Sequence, residues 1–406
     1  MNPLCIALVS LDYPPDPKST GIGTYSKLLA HHLSERGHTV HVVTRGFGED
    51  TVEVRKEGRL SVHRLGQRPE IPLELNVLEV ARLALGSALS ELSYRRKIAR
   101  KLDTLIKTQG VQLIESSEAF ADSLFYKPAK HPHIPFIVKL HTPFAIGELF
   151  DKNIPEFVRL AVRHFERRLI LSASHVTIPS AAGKDLFRRE MRLGNLAIRS
   201  LANPPQKNLP VPSASGENEV LFVGRVTRFK GVEILIKAIP DILEQKPKTQ
   251  FVFVGADAPQ SGEFSSTIES LKARLPEKAR AHVTFTGYVQ REALDAYYAR
   301  AAVCVFPSLF EVFGYTCLEA MYHAKAIVGS ANGGMRDLLD GGRCGHLYCP
   351  PDAQDLAMQI VQLLSDKTLR QTLGERARER ALSRFGAQRI LDETETFYRE
   401  AIEACR

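Results

Sequence analysis

Short apolar runs recur along the chain, each stopped by a glycine, proline or polar residue and followed by a stretch with apolar positions three and four apart. In the first half they are Leu4–Val9, Thr39–Thr44, Val111–Glu115, Pro135–Leu140 and Val176–Ser180. In the second half they are Val220–Val223, Phe251–Val254, Val283–Thr286, Val303–Phe306 and Ala326–Val328. Runs this short, apolar on both faces, predict strands of buried parallel sheets. Between them, Tyr25, Leu28, Leu29, His32 and Leu33 form one helix face that stops at Gly37, and Ile234, Leu235, Ala238, Ile239 and Ile242 form another. Residues 65 to 130 read mainly as helices, Arg370 to Arg389 as one charged helix, and Ile390 to Ala404 as the last helix. The rhythm pauses once, where Asn203-Pro204-Pro205 opens a stretch rich in Pro, Ser, Gly and Asn that runs to Asn218. Since strand and helix alternate on both sides of that pause, the pattern predicts an α/β protein of two Rossmann-like, doubly wound domains. Their expected bounds are 1–205 and 219–387, with 206–218 as the linker.

Composition fits that reading. A chain of 406 residues, 44% of them hydrophobic, can bury two sizeable cores. No run approaches 18 apolar residues, and Leu4–Val9 lacks a basic leader and ends at Asp12 and Pro14, so a first strand is expected rather than a targeting segment, and a cytoplasmic protein. Six cysteines are few for this length and are expected to be reduced. Cys344, His346 and Cys349 do not have zinc-ligand spacing, and no metal site is expected.

The net charge of +8 is unevenly placed: residues 1 to 208 hold 30 Lys and Arg against 21 Asp and Glu, and the remainder 24 against 25. Clusters such as Arg95-Arg96-Lys97, Arg167-Arg168 and Arg188-Arg189 stand among leucines at helical spacing. A basic face of this kind suits an anionic membrane surface or an anionic acceptor, or is simply solvated. No nucleic-acid module or aromatic-basic interleaving is present, so nucleic acid is not an expected partner.

Candidate chemistry concentrates at strand ends. After Val303–Phe306 come Glu311 and Glu319, with Gly314 between them and Gly333-Gly334 opening the next turn. Thr316 and Glu319 could alternatively form a capping box. After Val220–Val223, Arg225 and Lys230-Gly231 place two cations ahead of a helix, an arrangement suited to a diphosphate. Pro135–Leu140 delivers His141 at its carboxyl end, where open α/β sheets bind ligands. Gly21-Ile22-Gly23 follows the first strand too late for a dinucleotide fingerprint and has Ser26 in place of a third glycine.

The string P-S-x-x-E-x-F-G-x-x-x-L-E-A-M, from Pro307 to Met321, resembles the E-x7-E signature of retaining GT-B glycosyltransferases of the family-4, or group 1, type, and G-R-x4-K-G at 224–231 resembles the same family. The resemblance covers essentially the whole chain, with its specific motifs in the second half. It implies the GT-B architecture, two domains facing across a cleft, with a C-terminal helix, 388–406, completing the first domain. It also implies hexosyl transfer with retention from a UDP- or GDP-linked sugar to a saccharide or lipid-linked acceptor, with no cofactor and no metal. By the same resemblance Gly21, Gly23, Arg225, Lys230, Tyr288, Glu311, Val312, Phe313, Gly314, Tyr315 and Glu319 bind the donor. Tyr288 would lie near the base, Glu319 at the ribose, and His141 and Glu311 at the transferred sugar. Departures are Asp337 after Gly333-Gly334, where a glutamate is more usual, and Tyr315 after Gly314. A non-hydrolysing nucleotide-sugar epimerase of similar build is the alternative; a two-domain NAD dehydrogenase and an exported two-lobed binding protein fit less well. Peripheral attachment to the inner face of a membrane, through the basic first domain, is a further expectation.

Overall fold

The computed structural model describes residues 2–15, 20–46, 52–66, 77–142, 146, 156–206, 210, 216–258 and 266–406. The first half contains β1 (Cys5–Ser10), α1 (Gly21–Glu35), β2 (Thr39–Thr44), β3 (Val52–Glu57), β4 (Leu60–Leu65), α2 (Val77–Gln109), β5 (Leu113–Ser117), β6 (Phe136–Lys139), α3 (Glu156–Ser172), β7 (His175–Ile178), α4 (Lys184–Glu190) and β8 (Ile198–Ser200). The second half continues with β9 (Glu219–Val223), α5 (Val232–Gln245), β10 (Gln250–Val254), α6 (Thr267–Arg274), α7 (Glu277–Arg280), β11 (Val283–Gly287), α8 (Arg291–Arg300) and β12 (Val303–Phe306). It ends with α9 (Tyr315–Tyr322), β13 (Ala326–Ser330), α10 (Gly334–Leu338), β14 (His346–Tyr348), α11 (Ala353–Ser365), α12 (Lys367–Phe385) and α13 (Ala387–Ala404).

The strands form two sheets, ordered β3-β4-β2-β1-β5-β6-β7-β8 and β11-β10-β9-β12-β13-β14. All pairings are parallel except β3 on β4. In each sheet the winding reverses beside its first central strand, at β1/β5 and at β9/β12. Loops leaving the carboxyl ends of strands diverge at such points and leave a crevice for a ligand. The expected chemistry lies on those loops: Gly21 and Gly23 follow β1, Arg225 and Lys230 follow β9, and Glu311 follows β12.

Four strands were not expected from the apolar pattern. β3 reads VEVRKE and β4 LSVHRL, so charges and histidines interrupt their apolar positions even though β4 is wholly buried. β8 and β14 have three residues each. The charged stretch 370–389 is also not one helix: α12 ends at Phe385, Gly386 has extended dihedrals, and α13 begins at Ala387.

α13 lies on the first sheet. Its Leu391, Phe397, Tyr398, Ala401 and Ile402 share a core with Leu4, Ile6 and Leu8. Tyr398 Oη donates to Glu115 Oε2 at 2.9 Å, and Tyr25 Oη to Oε1 at 2.6 Å, so a buried carboxylate in β5 joins α1 to the end of the chain. Among the described residues, no helix is long and apolar enough to cross a membrane.

Candidate functional site at the facing sheet ends

Backbone crowding fixes the loops that follow β9 and β12. Gly231 ends a short helical turn, Arg228–Lys230, at φ +70°, where a Cβ would lie 1.8 Å from the Pro307 carbonyl oxygen. Only glycine tolerates both the dihedral and the approach. The turn thus presses against the loop after β12, and Lys230 Nζ sits 2.5 Å from Glu311 Oε2. Glu311 is held from behind as well, since its carbonyl accepts the Gly334 N–H at 2.6 Å. Gly333 has φ +89°, and a Cβ there would lie 2.2 Å from that same carbonyl oxygen. Arg225 is exposed and, among the described residues, pairs with no carboxylate, so its guanidinium is open to an anion. Together these cations and the start of α5 give the site a positive side.

α9 opens on Gly314 at φ +94°, with no side chain capping it, so its first-turn N–H groups are available to a ligand. The capping-box alternative is therefore wrong: Thr316 lies inside the helix, and Glu319 turns away from its own N-terminus. Glu319 Oε1 accepts Arg291 Nη1 at 2.7 Å and Oε2 accepts Tyr298 Oη at 3.1 Å. A cavity beside it is lined by Pro205, Gln206, Arg291, Tyr298, Tyr315 and Glu319. Tyr288, in the turn after β11, is 76% exposed. Val312 and Phe313 have buried side chains, so the backbone is what they can offer a donor.

In the first domain, Gly21 and Gly23 occupy the first turn of α1, capped by Thr20, whose hydroxyl accepts the Ile22 N–H. His141 lies two residues beyond β6, its ring edge-on to Tyr25 at 4.8 Å and its backbone N–H donating to Glu118 Oε1 at 2.8 Å. Burial, with Lys139 next, pulls its imidazole down to about 3, so the ring is neutral near pH 7 and can exchange hydrogen bonds with a sugar hydroxyl. Contacts bind the two halves around these groups. Phe310 and Val312, on either side of Glu311, belong to the first domain's core, with Phe229 packed against it, and Phe310 faces Phe187 at 6.4 Å. Tyr315 at the start of α9 packs against the core that holds Tyr25.

Residues 207–380 match the family described as glycosyl transferases group 1, and residues 20–204 match a glycosyl transferase 4-like domain. Glycogen synthase of Mycobacterium tuberculosis is 30% identical over 97% of this chain and 94% of its own. The chain belongs to the group 1 glycosyltransferases. An uncharacterised glycosyltransferase of Methanocaldococcus jannaschii is 33% identical, but the match covers 46% of each chain, about half that relative's length. Among solved structures, sucrose-phosphate synthase from Thermosynechococcus elongatus superposes with a TM-score of 0.76 at 25% identity, covering 99% of this chain and 100% of that one. The GT-B architecture is thereby established for this glycosyltransferase.

Arg291 and Tyr298 escaped sequence reasoning, because no motif ties α8 to Glu319. Asp337 gains a position: from α10 its Oδ2 accepts the Ser180 hydroxyl at 2.7 Å and the Ala182 N–H at 3.0 Å, clasping the loop after β7. Among the described residues no group of three His, Cys, Asp or Glu could hold a metal ion, and Cys344, His346 and Cys349 form no such group.

Glu118 gives this glycosyltransferase a pH signature. Burial, then the nearby Glu166, pushes its carboxyl up to about 8 despite the His141 N–H. An unfolded glutamate titrates near pH ~4.3. Between those values the folded state keeps a proton that the unfolded chain releases, so Glu118 makes stability fall as pH rises through the window. Thermal unfolding of Glu118→Gln is expected to decline less from pH 5 to 8 than that of the wild type, and equal slopes would refute the assignment.

Proposed function

We propose that this glycosyltransferase moves a hexosyl residue from a UDP- or GDP-linked sugar to a hydroxyl of a saccharide or lipid-linked acceptor, with retention of anomeric configuration and without a metal ion. The observation that carries the reading is the Lys230–Glu311 pair, 2.5 Å apart at the β9/β12 crevice. An ammonium has three donors, so Lys230 can hold Glu311 and still reach a phosphate oxygen. Arg225 and the start of α9 supply further positive charge where a leaving diphosphate would develop its negative charge. On this reading Glu311 orients sugar hydroxyls and Glu319 receives the ribose; His141 contacts the transferred sugar, and the leaving phosphate helps take the acceptor's proton. Family membership disfavours the epimerase alternative.

A thermal-shift series with UDP, GDP and their sugars tests the donor. A true ligand at 100 times its dissociation constant adds about 2.7 kcal/mol. No shift with any of them would overturn the reading, and the anomeric coupling of the product tests retention. Transfer is expected to persist in excess EDTA, and activity lost to EDTA and restored by Mg²⁺ or Mn²⁺ would show a required metal.

We further take 1–205 with 388–406 as the acceptor domain, 219–387 as the donor domain, and the first as the face that meets an anionic membrane. On α3, Leu160 and Leu171 are exposed on a stripe with His164 and Arg168. Each basic residue near an anionic surface contributes about 1 kcal/mol. Sedimentation with anionic vesicles should weaken with salt, and a protein left in the supernatant at low ionic strength would remove the membrane from the proposal.

A further inference from the structure

The face between α8 and α9 is built to hold one carboxylate still. Arg291, Asp295 and Tyr298 stand at i, i+4 and i+7 of α8 and meet Glu319 of α9 and His323, four residues on, which caps the end of that helix. An ion pair and a hydrogen bond cross it: Arg291 to Glu319 at 2.7 Å, and His323 Nε2 with Asp295 Oδ1 at 3.1 Å. The Tyr298 ring stacks on His323 with centroids 4.8 Å apart. Tyr298 is 1% exposed, and its hydroxyl lies 3.1 Å from both Glu319 Oε2 and the Thr316 carbonyl oxygen. Burial, with Glu319 next, holds the phenol well above its ordinary range, so it remains a donor at any working pH. Each Glu319 oxygen thus has one partner from α8, and a carboxylate oxygen can accept two hydrogen bonds. Glu319 itself lines the cavity together with Gln206 and Tyr315, so a ligand there meets a carboxylate with acceptor capacity left over.

We propose that Tyr298 and Arg291 are positioning residues that fix the Glu319 carboxylate for the donor's ribose diol, and so set how strongly the enzyme prefers a ribonucleotide to a 2′-deoxyribonucleotide. The inference rests on the reading that Glu319 receives the ribose. Without the phenol, Oε2 loses its protein partner, and the carboxylate can rotate about its last bond. Without the guanidinium, Oε1 does the same. In either case the geometry that rewards a 2′-hydroxyl is blurred, while the sugar-binding Glu311 is untouched.

The test is calorimetric titration of UDP, GDP and their 2′-deoxy forms into wild type, Tyr298→Phe, Arg291→Gln and Glu319→Gln, with donor KM and kcat alongside. A hydrogen bond to a charged group predicts at least about tenfold ribose preference in the wild type. That preference should narrow to below about threefold in Tyr298→Phe and Arg291→Gln, with KM raised and kcat at saturation nearly unchanged. Glu319→Gln should lose it as well. If Glu319→Gln loses the preference but the two α8 variants keep it, the positioning role is overturned and the ribose reading stands. If Glu319→Gln keeps it, or the wild type has none, the ribose reading fails first. Arg291 is near the exposed end of α8, so Arg291→Gln decides the matter if Tyr298→Phe does not fold.

Discussion

Glu311→Gln is expected to cut sugar transfer at least about 100-fold while leaving nucleoside diphosphate affinity within about threefold of the wild type. The amide has the shape of the carboxylate but not its charge, so Lys230 loses its partner and the sugar hydroxyls lose a strong acceptor. Charge-assisted hydrogen bonds contribute about 1.5 to 3 kcal/mol each, or about 10- to 150-fold, and more than one is lost here. The diphosphate, in contrast, keeps Arg225, Lys230 and the start of α9. Steady-state kinetics with the sugar donor and calorimetry with the bare diphosphate separate the two effects. Equal losses in both would mean that Glu311 acts on the diphosphate through Lys230 rather than on the sugar.

Gly231→Ala should be comparably damaging for a different reason. Alanine at φ +70° costs about 1 to 2 kcal/mol in backbone strain alone. Its Cβ would stand 1.8 Å from the Pro307 carbonyl oxygen, which no rotamer relieves, so the loops after β9 and β12 must separate. Lys230 and Glu311 then part with them, and a displacement of about 1 Å at a reacting centre can cost about 100-fold in rate. A stability loss of about 1 to 3 kcal/mol and a fall in kcat/KM of that order are expected. Lys230→Ala serves as the control that removes the charge without moving the backbone. A folded Gly231→Ala enzyme with wild-type turnover would show that the contact between these loops is not what aligns the site.

The sequence carries most of this architecture because a parallel sheet buries both faces of its strands, which leaves runs such as Val303–Phe306 and Val220–Val223 continuous and apolar. Strands that break the rule were invisible: β4 buries His63 and Arg64, and β3 carries its charges on an antiparallel edge. Glu311 and Lys230 could each be singled out in advance because each belongs to a recurring motif. The partners of Glu319 could not, since Arg291 and Tyr298 lie 28 and 21 residues away and meet it only through helix packing. Asp337 stood out only as a departure from a motif; its contacts with Ser180 and Ala182 depend on how the domains meet, which no local pattern encodes.

Phe310 and Val312 make the loop after β12 part of the other domain's interior. Parting the domains would carry both side chains into water, at about 1.5 to 3 kcal/mol apiece. An opening equilibrium of about one part in 10² to 10⁴ follows from that penalty. Product escape that needs the cleft wide open would then be paced by how often this pair of side chains lets go, however fast the bond to the sugar is made.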